Sequence, residues 1–189
     1  MTLFSCQYNR SRKTQHKEQY PPQKLFEGVP LQAAQKIFDE DQLGLESNLK
    51  SEPAIINQLS NIKGYTLLIY CSILENLDAM DILLKNRSDF NLIIPYHDDT
   101  PLSHAVATNN YQMAKLLFRY KANPVIGKSP LCEAMMLGTA STERKMIDFL
   151  LENEADINHN AYLGNNIMEA AARSDLATAL YFLEKVEIQ

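Results

Sequence analysis

A unit of about 33 residues recurs along this chain, and a period in that range restricts the fold more than any single motif does. The blocks Gly64-Tyr65-Thr66-Leu67-Leu68, Asp98-Asp99-Thr100-Pro101-Leu102, Gly127-Lys128-Ser129-Pro130-Leu131 and Gly164-Asn165-Asn166-Ile167-Met168 align by their third residues at spacings of 34, 29 and 37. Each is followed by a short Ala-rich helical stretch and then by a second one ending in paired apolar residues. These pairs, Leu83-Leu84, Leu117-Phe118, Leu150-Leu151 and Phe182-Leu183, fall at spacings of 34, 33 and 32. A two-helix unit this thin cannot bury its apolar face by itself, so its copies must stack, each gaining stability from its neighbours.

The local chemistry agrees with that reading. Thr100 supplies a capping oxygen and Pro101 occupies a first helical turn, where its missing N–H is not needed. Ala105, Ala134 and Ala171 are small enough to let neighbouring helices approach, and Leu83, Leu102, Leu131 and Leu150 supply the stacked core. After the second helices come Arg87-Ser88-Asp89-Phe90-Asn91, Lys121-Ala122-Asn123-Pro124 and Glu154-Ala155-Asp156-Ile157-Asn158, whose Asp and Asn suit a turn into the next unit.

These blocks resemble the ankyrin repeat, with its pattern G-x-T-P-L-H-x-A, a second helix, and then L-L-x-x-G-A-D-x-N. Thr100-Pro101-Leu102 and Glu154-Ala155-Asp156-Ile157-Asn158 carry the resemblance most clearly. It spans Ile62 to Val186 in four repeats, and the helical segment from Pro30 to Lys50 reads as a degenerate first repeat or cap. The fold class implied is all-α: an ankyrin-repeat solenoid of about four to five helix-turn-helix repeats with an N-terminal helical cap. The domains follow as a cap or degenerate repeat over 25–61 and repeats over 62–189.

Departures from the pattern make predictions of their own. The family's Gly before Ala-Asp, which takes a left-handed conformation, is here Arg87, Lys121 and Glu154, each expected to store about 1 kcal/mol of strain. Gly138-Thr139-Ala140-Ser141-Thr142 lengthens the span from Pro130 to Leu150 to 20 residues, against 16 from Pro101 to Leu117, and reads as an inserted loop. The last unit has Asn166 for Thr and no Pro, as expected of a terminal repeat.

Ahead of the repeats, residues 7–24 are polar, basic and without apolar periodicity, which predicts a disordered tether over residues 1–24, with Tyr8 and Tyr20 exposed. Leu3-Phe4-Ser5-Cys6 resembles the lipobox of bacterial lipoproteins, which implies a lipobox remnant at 3–6, with Cys6 lipidated as the first mature residue and Met1 to Ser5 the stump of a signal peptide. The same resemblance implies a periplasmic location, anchored at the outer membrane; an ordinary cytoplasmic N-terminus is the alternative. No run of about 18 apolar residues occurs, so the membrane is expected only through that anchor. Cys71 and Cys132, in apolar surroundings, read as small buried thiols.

Charge and motif content narrow the chemistry. Against 23 Asp and Glu stand 18 Lys and Arg, a net charge of -5, so the basic footprint of a nucleic-acid binder is absent. His16, His97, His104 and His159 are the only imidazoles, and none stands with a nucleophile; no catalytic residue, metal site or cofactor is assigned. Asp98 and Asp99 read as solvated charges that favour the helix after them.

What remains is surface, and the ankyrin resemblance implies a groove formed by the turn tips and the exposed positions of the first helices. By position, the tips are Tyr96, His97, Asp98, Lys128 and Tyr162, and the groove residues are Tyr70, His104, Thr108 and Glu133. The partner expected is a protein. Together the two resemblances imply an immunity protein, similar to those encoded beside type VI secretion effectors, that binds and blocks a toxin of the lipase class. A general adaptor or scaffold for an endogenous protein is the alternative, since a fold does not fix a function.

Overall fold

In the computed structural model the described residues are 13–95, 98–136, 141–156, 159 and 176–186. Among them the chain is all-α, with no strand, as expected. The helices are α1 (the described part, 13–19), α2 (Gly28–Phe38), α3 (Gln42–Ser51), α4 (Leu67–Ile73), α5 (Leu77–Lys85), α6 (Pro101–Ala107), α7 (Tyr111–Arg119), α8 (Pro130–Met136), α9 (Ser141–Glu152) and α10 (Leu176–Val186). Two compact units divide them, Met1–Asp89 and Phe90–Gln189.

In the first unit α2 and α3 form one helical pair, α4 and α5 the next, packed around Ala33, Ala34, Ile37, Leu45, Leu67, Leu68, Met80 and Leu83, all at most 1% exposed. In the second, α6 pairs with α7 and α8 with α9, around Leu102, Ala105, Met113, Leu117, Leu131, Ala134 and Leu150, each fully buried. The Ala and Leu positions picked out by the repeat therefore lie in the core, apart from Ala171, which is outside the described residues.

The same capping chemistry opens the first helices α4, α6 and α8. Thr66 Oγ1 accepts from Ile69 N–H at 3.2 Å, and Ser129 Oγ accepts from Cys132 N–H at 3.3 Å. Thr100 goes further: its hydroxyl accepts from Ser103 N–H at 3.1 Å while Ser103 Oγ accepts from Thr100 N–H at 2.8 Å, a reciprocal box that satisfies two end donors. Two residues before each cap the backbone is left-handed, at Gly64 (φ 67), Asp98 (φ 53) and Gly127 (φ 66). At Gly127 a Cβ would lie 2.5 Å from the Asp98 carbonyl oxygen, so glycine is required there by space as well as by φ.

The second helices α5, α7 and α9 each end in a Schellman motif built on a residue with a side chain. Arg87 (φ 66), Lys121 (φ 65) and Glu154 (φ 65) are left-handed, as expected. Around Arg87, for example, Arg87 N–H donates to the Leu84 carbonyl at 3.1 Å and Ser88 N–H to the Leu83 carbonyl at 3.0 Å. First helices end likewise at Glu40 (φ 61), Glu75 (φ 53) and Asn109 (φ 53), which the sequence reading did not single out. The next residue in each case caps the second helix: Asp41 to Gly44 N–H at 2.9 Å, Asn76 to Ala79 N–H at 3.1 Å, and Asn110 to Met113 N–H at 3.1 Å.

Turns of successive repeats are joined by asparagine side chains. Asn57 Oδ1 accepts from Asp89 N–H at 2.7 Å within the first unit, and Asn91 Oδ1 accepts from Asn123 N–H at 2.9 Å within the second. Asn76 Nδ2 also donates to the Ile37 carbonyl at 2.9 Å, tying α5 to the end of α2.

Two expectations are corrected. Residues 13–24, expected to be disordered, form α1 and a 3-10 turn at Pro22–Lys24. Long-range partners order them: Lys13 and Lys17 each meet Glu40 Oε1 at 3.0 Å, and Pro22, Leu25 and Phe26 are buried. Residues 28–51 form the helix pair α2 and α3, in which α2 opens without a side-chain cap and α3 ends on Glu52 at φ -133. Finally, Ser141 and Thr142, assigned to an inserted loop, belong to α9, whose 12 residues exceed the 9 of α5 and α7. Part of the extra length is thus absorbed as helix, the cheaper solution because each added residue gains a backbone hydrogen bond. Residues 137–140 lie outside the described residues.

Candidate functional site

The left-handed Asp98 is exposed, and its carbonyl accepts from Lys128 N–H at 2.7 Å, which holds two successive tips of the second unit together. The Lys128 ammonium then reaches Glu133 Oε1 on α8 at 2.7 Å and stands 3.9 Å from Asp99 Oδ1. Asp98, Lys128 and Glu133, chosen from the sequence as separate tip and groove positions, are therefore neighbours. Lys128 is the one cation among the carboxylates of Asp98, Asp99 and Glu133, so the patch combines directed hydrogen bonds with a net acidic charge.

His104 and Thr108 lie one turn apart on α6, both half-buried. The Thr108 hydroxyl donates to the His104 carbonyl at 3.0 Å and to the Ala105 carbonyl at 3.2 Å, which engages it in finishing its helix. Tyr96, His97 and Tyr162, the remaining tip residues, lie outside the described residues, as does Cys6.

Tyr70 does not occupy the surface expected of it. Its side chain is 0% exposed, packed edge-on to Phe26 with ring centroids 5.2 Å apart, and its hydroxyl donates to the Tyr20 carbonyl at 2.9 Å. The repeat pattern put this position in the groove, and the chain's own residues 20–26 cover it. Burial pushes the phenol's pKa above its ordinary value, with Cys71 and Asp39 adding to the rise.

Residues of α7 and α9 form a feature that the repeat did not disclose. Phe149 is edge-on to both Tyr111 and Phe118, at centroid distances of 5.0 and 5.1 Å. An open cleft of about 440 Å³ is lined there by Tyr111, Phe149, Lys145, Asp148 and Glu152. The only sequence signal was aromatic residues on second helices, which read equally as core.

Cys71 and Cys132 are free and buried, and burial raises both thiol pKa values, so little nucleophilic thiolate forms. Among the described residues no group of His, Cys, Asp and Glu is arranged to hold a metal ion, and no helix is long and apolar enough to cross a membrane.

Comparison with known proteins follows the repeats. The chain is 35% identical over 91 residues to an ankyrin repeat and KH domain-containing protein of Caenorhabditis briggsae, covering 45% of this chain and 4% of that protein. It is 36% identical over 89 residues to an ADP-ribosylation factor GTPase-activating protein of Arabidopsis thaliana, covering 44% of this chain and 11% of that one. The chain thus spans a small fraction of the length of either relative. The family profile described as ankyrin repeats (3 copies) matches residues 32–128, beginning inside α2 and so taking in most of the pair that reads from sequence as a degenerate first repeat or cap. With half of its length matched and the helix pairs, caps and turns of that repeat in register, the chain belongs to the ankyrin-repeat family.

Proposed function

We propose that this protein is an adaptor: a protein-binding module that holds an endogenous protein without performing chemistry on it. Ankyrin repeats are interaction modules, and the observation that carries the reading is how the likeness is distributed. Two relatives with different printed descriptions each share only about 90 residues with this chain, 4% and 11% of their own lengths, which fits a recognition unit reused in different settings. The buried thiols and the ion-paired tip cluster fit a binding surface better than a reactive one.

The narrower expectation, an immunity protein that blocks a secreted toxin from a lipidated periplasmic anchor, gains no support from the family match or from either relative. The recognition surface we assign is the described part of the groove in the second unit: Asp98, His104, Thr108, Lys128 and Glu133. Lys128 is its centre, because it meets both the tip and α8.

The test is affinity capture of the full chain in its native host, followed by titration of the captured protein against Lys128→Ala and Glu133→Ala. Loss of one member of a buried or half-buried charge pair at an interface is expected to weaken binding by about 2 kcal/mol or more, which is roughly thirtyfold. Unchanged affinity in both variants moves the surface elsewhere. Rescue of cells from a co-expressed secreted toxin by the captured pair replaces the adaptor reading with the inhibitor one.

A further inference from the structure

The contacts of the N-terminal segment fall into two classes with different strengths. From Pro22 to Phe26 the chain is anchored: Pro22 is buried, and Leu25 and Phe26 are 3% and 1% exposed. From residue 13 to Tyr20 it is attached mainly by charge. Lys13 and Lys17, one turn apart on α1, both reach Glu40 Oε1 at 3.0 Å. His16 Nδ1 stands 3.7 Å from Glu75 Oε1, and the Lys17 ammonium lies over the Phe38 ring, 5.2 Å from its centroid.

Glu40 and Glu75 are equivalent residues of successive repeats, each the left-handed residue between a first and a second helix. A helix that reads both therefore runs across the repeats, as a bound ligand would. Exposed ion pairs of this kind each shift an equilibrium by at most about fivefold. The anchor holds, while the helix ahead of it is weakly fastened.

We infer that the surface of the first two repeats under residues 13–20 is a docking site for a polar helix with basic residues four apart, and that α1 occupies it in cis until such a helix displaces it. The chemistry of the occupant is read from the one already seated: paired cations for Glu40, a cation over the Phe38 ring, and a hydrogen-bond partner for Glu75 and the Tyr70 hydroxyl. This inference builds on the reading of the array as a protein-binding module, and it places a second site in the first unit.

The test uses the full chain and two readouts. Lys13→Glu with Lys17→Glu removes both pairs and sets like charges against Glu40. Protection of the Tyr20 amide, whose N–H donates to the His16 carbonyl at 2.8 Å, is expected to fall about tenfold, with α6 and α7 unchanged as internal controls. Adding Glu40→Lys to the pair is expected to restore protection. A synthetic peptide of residues 13–26 is then expected to bind the Lys13→Glu, Lys17→Glu variant about tenfold more tightly than the wild type, and a scrambled peptide to bind neither. Protection unaffected by the charge reversal overturns the weak fastening. A released α1 with no binding of the peptide overturns the docking site. Either failure leaves the adaptor reading standing, because that reading is decided by a captured partner and not by exchange or by this peptide.

Discussion

Replacing Arg87, Lys121 and Glu154 together by glycine should stabilise this protein. Each residue sits at a φ of 65° or 66°, where a Cβ crowds the following carbonyl. Releasing that strain gains about 1–2 kcal/mol per site. Glycine gives part of it back, because the unfolded chain becomes freer by about 0.4–1 kcal/mol. A net gain of about 0.5–1 kcal/mol per site remains, and all three Schellman bonds are backbone bonds that the substitution leaves in place. The sites are a repeat apart and share no partner, so the gains add to roughly 2 kcal/mol. For a chain of this length that is a rise in melting temperature of about 4–8 °C, measured by calorimetry or by circular dichroism at 222 nm. Arg87→Val, which keeps a side chain and adds β-branching at a left-handed position, should lower it. A triple variant that melts below the wild type would refute the argument, since it would mean that these side chains contribute more than their backbone costs.

Three further outcomes follow from the turns and caps. Gly127→Ala forces a Cβ to within 2.5 Å of the Asp98 carbonyl oxygen at a left-handed φ, so a loss of about 2 kcal/mol or more in urea unfolding is expected. Asn76→Ala and Asn110→Ala both remove a helix cap, but only the former also takes from the Ile37 carbonyl its shorter donor, leaving it the Glu40 N–H at 3.3 Å. Asn76→Ala should therefore cost about 2 kcal/mol and Asn110→Ala about 1 kcal/mol, and equal losses would contradict the added role of Asn76. Hydrogen bonds from Lys13 and then Lys17 hold the Glu40 carboxyl below its ordinary pKa of 4.5. A depressed folded value means that this contribution is complete above the unfolded pKa and is lost as pH falls through the folded one, so amide protection of α1 should drop in acid well before that of α4.

The period, the Thr-Pro openings and the strained ends at Arg87, Lys121 and Glu154 were all legible because they are local: each depends on a few neighbouring residues repeated in register. The matching ends at Glu40, Glu75 and Asn109 were also local, and the signal lay in the Asp or Asn that follows each one. Asp41, Asn76 and Asn110 recur at the repeat spacing and cap the second helix. The order in residues 13–24 could not be read this way. Its stabilising partners, Glu40, Tyr70 and Glu75, are 23 to 59 residues away, and a polar segment without periodicity gives no sign of them. The same contacts removed Tyr70 from the surface. Position within a repeat assigned Tyr70 to the groove, and could not tell that another part of the chain would bury it. Phe149 and its two ring neighbours were hidden for a different reason, since aromatic residues on a second helix carry no mark that separates core from cleft.

The asparagine bonds between turns act as a gauge for chain length. Asn57 reaches the amide of Asp89 and Asn91 that of Asn123, each 32 residues onward, so the stretch between them cannot gain or lose a residue without breaking a side-chain bond. Growth of the array is thereby confined to places the gauge does not count past Asn123, and the 12-residue α9 is where it occurred. Anyone splicing copies into this protein should cut at equivalent asparagines, so that each copy keeps the 32-residue span.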